Sequence, residues 1–448
     1  MRPIKLALWL GLLLPAGLWL LSNSLWPEAW SYFALRAVAV QFTGVVLITA
    51  MSLAIVLALR PRWLERHLDG LDKMYRLHKW LGISALVVGV VHWWLAQGTK
   101  WMVGWGWLTR PQRGPRPNII DPLQSWLHEQ RHLAEDLGEW AFYGAALLIV
   151  AALIKRIPYR WFAKTHQFIA VAYLVLVYHA AVLLKFSDWS QPIGWLMVAL
   201  LVVGTVSACW ALLGRIGAQR RVVGTVEEVR YFEPLRVTST MLRLPAAWPG
   251  HVPGQFAFVT SLPGEGAHPF TIASAWDAAT RRVRFVTKAL GDHTATTHTR
   301  LRTGLSVTVE GPYGCFTFDD HAPRQIWVGG GIGITPFIGR MEQLARARAA
   351  GHASNQAIDL FHSTRDEDPA ALDLLRADAA AAGVTLHVLI DVRDGFLSAE
   401  RLCATVPGWR EASVWFCGPA TFSHHIRHEL ERAGLPAQRF HQELFEMR

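Results

Sequence analysis

Cysteine is scarce in this chain of 448 residues. There are four, Cys209, Cys315, Cys403 and Cys417, and none stands in C-x-x-C spacing. That excludes a disulfide framework or a zinc ribbon, and the last three fit a reducing compartment. Charged residues are few, at 17%, and what charge there is leans positive, for a formal net +10. There is no internal repeat, no low-complexity linker and no D-x-[DN]-x-[DN]-G loop, so direct control by calcium is not indicated. What the chain has in excess is apolar: 52% hydrophobic residues and 22 tryptophans, concentrated in residues 1 to 214. That is too apolar for an ordinary soluble protein. The positive charge falls largely in short loops between apolar runs, where it reads as a topology signal rather than as a surface for nucleic acid.

Six apolar runs approach the ~20 residues that a bilayer core requires. They lie at about 6–22, 33–58, 78–96, 137–154, 166–185 and 192–214. The first lacks a clean cleavage site and is read as a retained helix rather than a signal peptide. With six alternating spans, Arg2 and Lys5, Arg60 to Arg76, Lys155 to Lys164, and Arg215 to Arg221 all fall on one side, which the distribution of basic residues makes cytoplasmic. From about 221 short alternating strands separated by turns predict a small antiparallel barrel. After about 324 strands alternate with helices, as in a parallel, doubly wound sheet. The expected segments are 1–215, 221–320 and 324–448, with "GRIGAQR" as the hinge after the membrane part.

Four histidines sit inside the spans, where an ionisable group is costly and marks a functional candidate. His78 and His92 are fourteen residues apart on the third span, ~21 Å along the axis and ~40° apart around it. His166 and His179 on the fifth are ~20 Å apart but offset by ~140° in an ideal helix. Sharing a face there would need tilt or a π-bulge. Pairing the helices places His78 level with His166 and His92 level with His179. Two nitrogens per level, with no carboxylates nearby, suit two six-coordinate haems rather than zinc. The alternative for any one of them is a neutral histidine bonded to a carbonyl.

In the globular half, "VGGGIGITPF" (Val328 to Phe337) follows a strand and opens a helix, where glycines let backbone amides approach a pyrophosphate. It lacks G-x-G-x-x-G spacing, and a structural turn is the alternative. Ser363, Thr364 and Arg365 end the next strand, where a dinucleotide's adenosine ribose lies, and an Arg there pairs with a 2′-phosphate, favouring NADPH over NADH. "FCGP" brings Cys417, Gly418 and Pro419 to the same edge. Cys417 is read either as a group beside a nicotinamide or as a small buried residue. "HPFTIASA" (His268 to Ala275) offers Thr271 and Ser274 beside Phe270, and "KALGDHT" (Lys288 to Thr294) supplies a second glycine turn. By physics alone both are ordinary turns.

The ordered set "HPFTIASA", "GDHT", "GPYG", "GGGIGITPF" and "FCGP" after paired membrane histidines resembles the ferric reductase and NADPH oxidase superfamily, over residues from about 30 to 448. The family's histidine spacing, fourteen on the third helix and thirteen on the fifth, is matched here. The resemblance implies a six-helix transmembrane haem-binding domain, an antiparallel β-barrel FAD domain and an α/β doubly wound NAD(P)H domain. It implies two b-type haems, ligated by His78 with His166 and by His92 with His179. His268, Pro269, Phe270, Thr271 and Ser274 would hold FAD, with Lys288, Gly291 and Thr294 at the second turn. Gly329, Gly330, Gly331, Gly333, Thr335, Pro336, Gly418 and Pro419 would cradle the nicotinamide nucleotide, with Cys417 near its reactive ring. Phe445 in "ELFEMR" matches the family's flavin-covering aromatic. Arg36 resembles an arginine beside the outer haem, with snorkelling to headgroups as its other reading. The implied activity carries electrons from NADPH or NADH outward to O2, giving superoxide, with a ferric-chelate reductase as the alternative; a reading of a different class is an electron-transfer subunit that feeds a quinone or partner protein. The outer loop from Gln97, rich in Trp and Pro, departs from the animal oxidases and leaves the acceptor open. The expected setting is a bacterial inner membrane with the nucleotide domains in the cytoplasm. No obligate protein partner is indicated.

Overall fold

The computed structural model describes residues 2–27, 30–109, 119–154, 156–157, 159–261, 266–352 and 354–443. The chain forms two compact units that divide between Ile216 and Gly217. The first contains six helices long and apolar enough to cross a membrane: α1 (Arg2–Ser22), α2 (Tyr32–Ala58), α3 (Leu71–Trp93), α4 (Pro122–Leu153), α5 (Trp161–Leu183) and α6 (Pro192–Leu212). Two starts are written plainly in the sequence. The Ser31 side chain accepts from the Ala34 amide to cap α2, and Asp121 accepts from the Gln124 amide ahead of Pro122 in the first turn of α4.

Three of these helices differ from the apolar runs. α3 begins seven residues before His78 and, after Trp93, passes through a π-helical turn at Trp94–Gly98 into a further helix, Thr99–Gly104. α4 begins at Pro122 rather than near 137, because the polar stretch ahead of the apolar run is made of good helix formers behind a firm cap. α5 is interrupted at Gln167, between a segment ending at His166 and one beginning at Phe168. Inside the bundle the Tyr173 hydroxyl shares a 2.8 Å hydrogen bond with Ser52. Its ring lies against Gly204, where a Cβ would stand 1.8 Å from the phenol oxygen, so only glycine lets these helices close.

The second unit contains two sheets. Strands β1 (Arg221–Phe232), β2 (Val237–Arg243), β3 (Phe256–Thr260), β4 (His268–Thr271), β5 (Arg282–Lys288) and β6 (Ser306–Tyr313) pair in the order β4-β3-β6-β1-β2-β5. An antiparallel bridge between Ile272 and Phe285 joins the two edges and closes the sheet into a barrel. The parallel sheet comprises β7 (Arg324–Gly330), β8 (Ala357–Thr364), β9 (Thr385–Ile390), β10 (Ser413–Cys417) and β11 (Phe440–Gln442), in the order β11-β10-β7-β8-β9. Helix α7 (Thr335–Ala349) follows β7, α8 (Pro369–Ala382) follows β8 and α9 (Ala420–Arg432) follows β10. The strand order reverses between β7 and β10, and ligands of such sheets bind at the carboxyl edge of that reversal. Phe316 and Phe318, just past the barrel, pack with Trp327, Phe337 and Trp415 in a buried aromatic cluster that ties the two sheets together.

Candidate functional site

The histidines of the first unit stand in two pairs. The His78 and His166 rings lie 5.9 Å apart between centroids, and those of His92 and His179 lie 6.3 Å apart. A metal–imidazole bond is about 2 Å and the ring centre lies about 1 Å behind the nitrogen, so two imidazoles on opposite sides of one metal have centroids roughly 6 Å apart. Three of the four rings are held by Nδ1: His78 by the Ala54 carbonyl at 2.8 Å, His92 by the Thr43 hydroxyl at 3.0 Å and His179 by the Ala134 carbonyl at 2.7 Å. That leaves Nε2 of each for a ligand, the usual arrangement of a metal-bound histidine. His166 Nδ1 is buried with no hydrogen-bond partner among the described residues. The break at Gln167 lets His166 leave the helical register of His179, which removes the ~140° obstacle of an ideal helix. The π-turn stands elsewhere, on α3 just beyond His92.

Among the described residues no three or more His, Cys, Asp or Glu side chains converge on one point. Each pair thus offers two imidazole nitrogens, a donor set that would fit a metal whose remaining ligands come with it, as in haem. Gly138 on α4 makes room for the outer pair, since a Cβ there would lie 2.0 Å from His179 Nδ1. Arg36 donates from Nε to the Leu95 carbonyl at 2.7 Å and from Nη2 to the Ala96 carbonyl at 3.2 Å, so it caps the carbonyls of the π-turn that follows His92.

In the barrel, β4 carries His268, Pro269 and Phe270, all half-buried, and the rings of His268 and Phe270 lie roughly parallel, 6.4 Å apart. Thr271 Oγ1 is buried with no partner among the described residues, an orphan polar atom of the kind a bound cofactor satisfies. Ser274 is differently occupied. Its hydroxyl accepts from the Arg284 amide at 3.0 Å and its carbonyl from His251 Nε2 at 2.9 Å. Burial pushes His251 down to about 4, so it is neutral at pH 7. At the second turn Thr294 Oγ1 accepts from the amides of Leu290 and Gly291, while Gly291 itself faces open space. Lys288 is paired with Asp366.

At the sheet reversal, Gly329 and Cys417 are register partners on β7 and β10. The glycines divide into two kinds. A Cβ on Gly333 would stand 2.1 Å from the Cys417 carbonyl oxygen, and those on Gly330 and Gly418 would press on Pro419 and on Gly330 at 3.0 and 3.1 Å. Gly329 lies equally close to Ile334. These let two backbones touch across the switch point. Gly331, at φ 56, has nothing within 4 Å of its Cβ position, so its face is open for a ligand. Thr335 and Pro336 open α7 and are buried.

The Cys417 thiol is fully buried in the aromatic cluster, and burial, with the nearby Glu443 charge, pushes it well above its ordinary range. At the end of β8, Ser363 Oγ donates to Asp391 Oδ1 at 2.9 Å, whereas Arg365 is exposed. His362, bonded through Nδ1 to the Gly329 carbonyl at 3.2 Å, is pushed down to about 4 by burial. Phe445 lies outside the described residues. Sequence reasoning missed Gly138, His251 and Asp391. A lone glycine in an apolar helix, a histidine in a loop and an aspartate after a strand carry no spacing signal.

Residues 43–177 match the family model of the ferric reductase like transmembrane component. An NADPH oxidoreductase of Mycobacterium tuberculosis is 30% identical over 162 residues, covering 34% of this chain and 40% of that protein. A flavohemoprotein of Xylella fastidiosa is 28% identical over 158 residues, covering 33% and 38%. The chain thus spans about two-fifths of the length of these curated relatives. The solved FAD/NAD binding domain of a nitric oxide dioxygenase from Vibrio cholerae aligns with 50% of this chain and 97% of its own, at a TM-score of 0.42 and 20% identity. With its six helices, its ferric-reductase-like segment and the barrel and parallel sheet that follow, the chain is similar to the ferric reductase and NADPH oxidase-like superfamily.

Proposed function

We propose that the protein is a transmembrane oxidoreductase that carries electrons from NAD(P)H through FAD and two b-type haems to an acceptor on the outer face of the membrane. The observation that carries this reading is the pair of imidazole pairs, each spaced for one metal and each with no third protein ligand among the described residues. His78 with His166 would hold the inner haem and His92 with His179 the outer. Names among the relatives, an NADPH oxidoreductase and flavohemoproteins, support an oxidoreductase that draws on a nicotinamide nucleotide. O2 reduced to superoxide is the acceptor proposed first, and a ferric chelate the alternative.

When bound, FAD would take two electrons together from the nicotinamide and the haems would pass them on singly. The chain's own residues hold and aim. Thr271 would donate or accept at the flavin, and His251 keeps the Ser274 turn in place through its carbonyl. Gly331 would admit the pyrophosphate at the positive end of α7. Exposed Arg365 would pair with a 2′-phosphate, and Phe445 would cover the flavin. Ala54, Thr43 and Ala134 orient three of the four imidazoles. The basic loops support a cytoplasmic setting for the nucleotide domains, in which an electron moving outward would gain ~2.3 kcal/mol per 100 mV crossed.

The test is purified protein with NADPH, with and without oxygen. Superoxide-dismutase-sensitive cytochrome c reduction supports the oxidase. Oxygen-independent reduction of a ferric chelate supports the reductase. A preparation without reducible haem overturns the whole path.

A further inference from the structure

Beside the outer histidine pair the spanning helices hold a hydrogen-bonded polar group with no part in ligating a metal. Tyr143 on α4 donates to Glu139 Oε1 at 2.6 Å, Gln97 in the π-turn donates to Glu139 Oε2, and Trp93 Nε1 donates to the Tyr143 oxygen at 3.1 Å. Trp93 is the residue after His92, and Glu139 the residue after Gly138, against which His179 packs. The group lies at the surface of the helix bundle: Tyr143 is 38% exposed and Trp140 74%. In a bilayer that surface meets lipid. A carboxylate kept among aromatic rings at the start of the apolar run, held by Tyr143 and Gln97, is a candidate for function. The walls are planar: Trp93 stacks with Phe142 at 6.0 Å and 22°, and Trp140 meets Tyr143 edge-on at 5.9 Å.

We propose that this group is a binding site for a lipid-soluble quinone, a second acceptor for the electrons delivered to His92 and His179. The proposal rests on the outward electron path described above. Reducing O2 to superoxide or a ferric chelate by one electron needs no proton, so neither acceptor has use for a carboxylate–phenol pair. A quinone does: two electrons, arriving singly, and two protons form the O–H bonds of the quinol. Tyr143 and Glu139 stand where the quinone carbonyl would accept a hydrogen bond and then a proton, which outside water replaces. The net change is NADPH, a proton and quinone giving NADP⁺ and quinol. A charged ferric chelate would not enter from lipid, whereas a quinone partitions there and stacks on the indole and phenol rings.

The experiment uses the full-length protein in lipid nanodiscs, oxidised and without NADPH, photolabelled with an azido-ubiquinone analogue and mapped by mass spectrometry. Label is expected on peptides holding Trp93 to Gln97 or Glu139 to Tyr143, competed by unlabelled decylubiquinone. Glu139→Gln and Tyr143→Phe should each lower it at least fivefold, with haem content and NADPH-driven haem reduction unchanged. Tyr143→Phe removes one oxygen from an exposed ring and keeps the test decisive if Glu139→Gln disturbs the helix. Label elsewhere, label that does not compete, or label unchanged in Tyr143→Phe overturns the site. Haems that NADPH fails to reduce would sink the electron path itself, whereas intact reduction without specific label sinks the quinone site alone.

Discussion

Replacing Gly138 by alanine separates the two histidine pairs. At an open helical position this change stabilises by about 1 kcal/mol. Here the new Cβ would stand 2.0 Å from His179 Nδ1 and 2.5 Å from Cε1, where ordinary contact begins at 3.4 Å. The ring must retreat by about 1.4 Å, the difference between 2.0 Å and 3.4 Å. It is not free to swing, because Nδ1 is held by the Ala134 carbonyl at 2.7 Å. Breaking that bond costs about 1–3 kcal/mol, and metal–ligand distances tolerate only about 0.2 Å. The displacement is several times that tolerance, so the outer site should lose an axial ligand while the helix, with its propensity improved, persists. The assay is the pyridine haemochrome of purified protein: haem should fall from two to one per chain, with FAD content kept and the remaining haem still reduced by NADPH. Gly44→Ala is the control, since its Cβ would lie 3.3 Å from His92 Cε1 and asks for a shift of only a few tenths of an ångström. Two haems with unchanged spectra in Gly138→Ala would refute the reasoning.

Thr271→Val removes a buried hydroxyl that has no partner among the described residues; FAD affinity should drop roughly tenfold, about 1.4 kcal/mol, whereas a purely structural hydroxyl would leave it unchanged and raise the melting temperature. Gly331→Ala places a methyl in open space at positive φ; it should cost about 1–2 kcal/mol of stability and raise KM for NADPH, while Gly333→Ala, 2.1 Å from a backbone oxygen, should prevent folding of the sheet edge. Arg365→Ala should raise KM for NADPH at least tenfold and leave NADH within twofold, measured by steady-state kinetics with both nucleotides. His251 and His362 are each pushed down to about 4 in the folded chain from an ordinary 6.5 or so. Protons therefore bind the unfolded state first, and stability present above about pH 6.5 is lost as pH falls towards 4, by an order of 3 kcal/mol each; His251→Gln should flatten the acid limb of a melting-temperature profile.

The architecture was legible because its signals are periodic or compositional. Apolar length gave the six spans, alternation the barrel, and strand-loop-helix order the parallel sheet. The histidines were legible because imidazole in an apolar run is costly. What escaped was set by tertiary packing. The break at Gln167 and the π-turn at Trp94–Gly98 are backbone choices that leave no mark in composition; at the π-turn Arg36 takes the Leu95 and Ala96 carbonyls. The polar first half of α4 reads as loop to a hydropathy window, although its Asp121 cap announces a helix. Among the glycines of "VGGGIG", the sequence cannot distinguish those that let β7 meet β10 from Gly331, which faces open space. Nor does it show that Asp391 already engages Ser363.

Anaerobic addition of NADPH to the purified full-length protein, followed by optical spectroscopy, tests the account most directly. The expected spectrum is that of two b-type haems per chain, both reduced by NADPH, with one lost in His92→Ala and the other still reducible. A protein that contains FAD and oxidises NADPH but shows no reducible haem would contradict it.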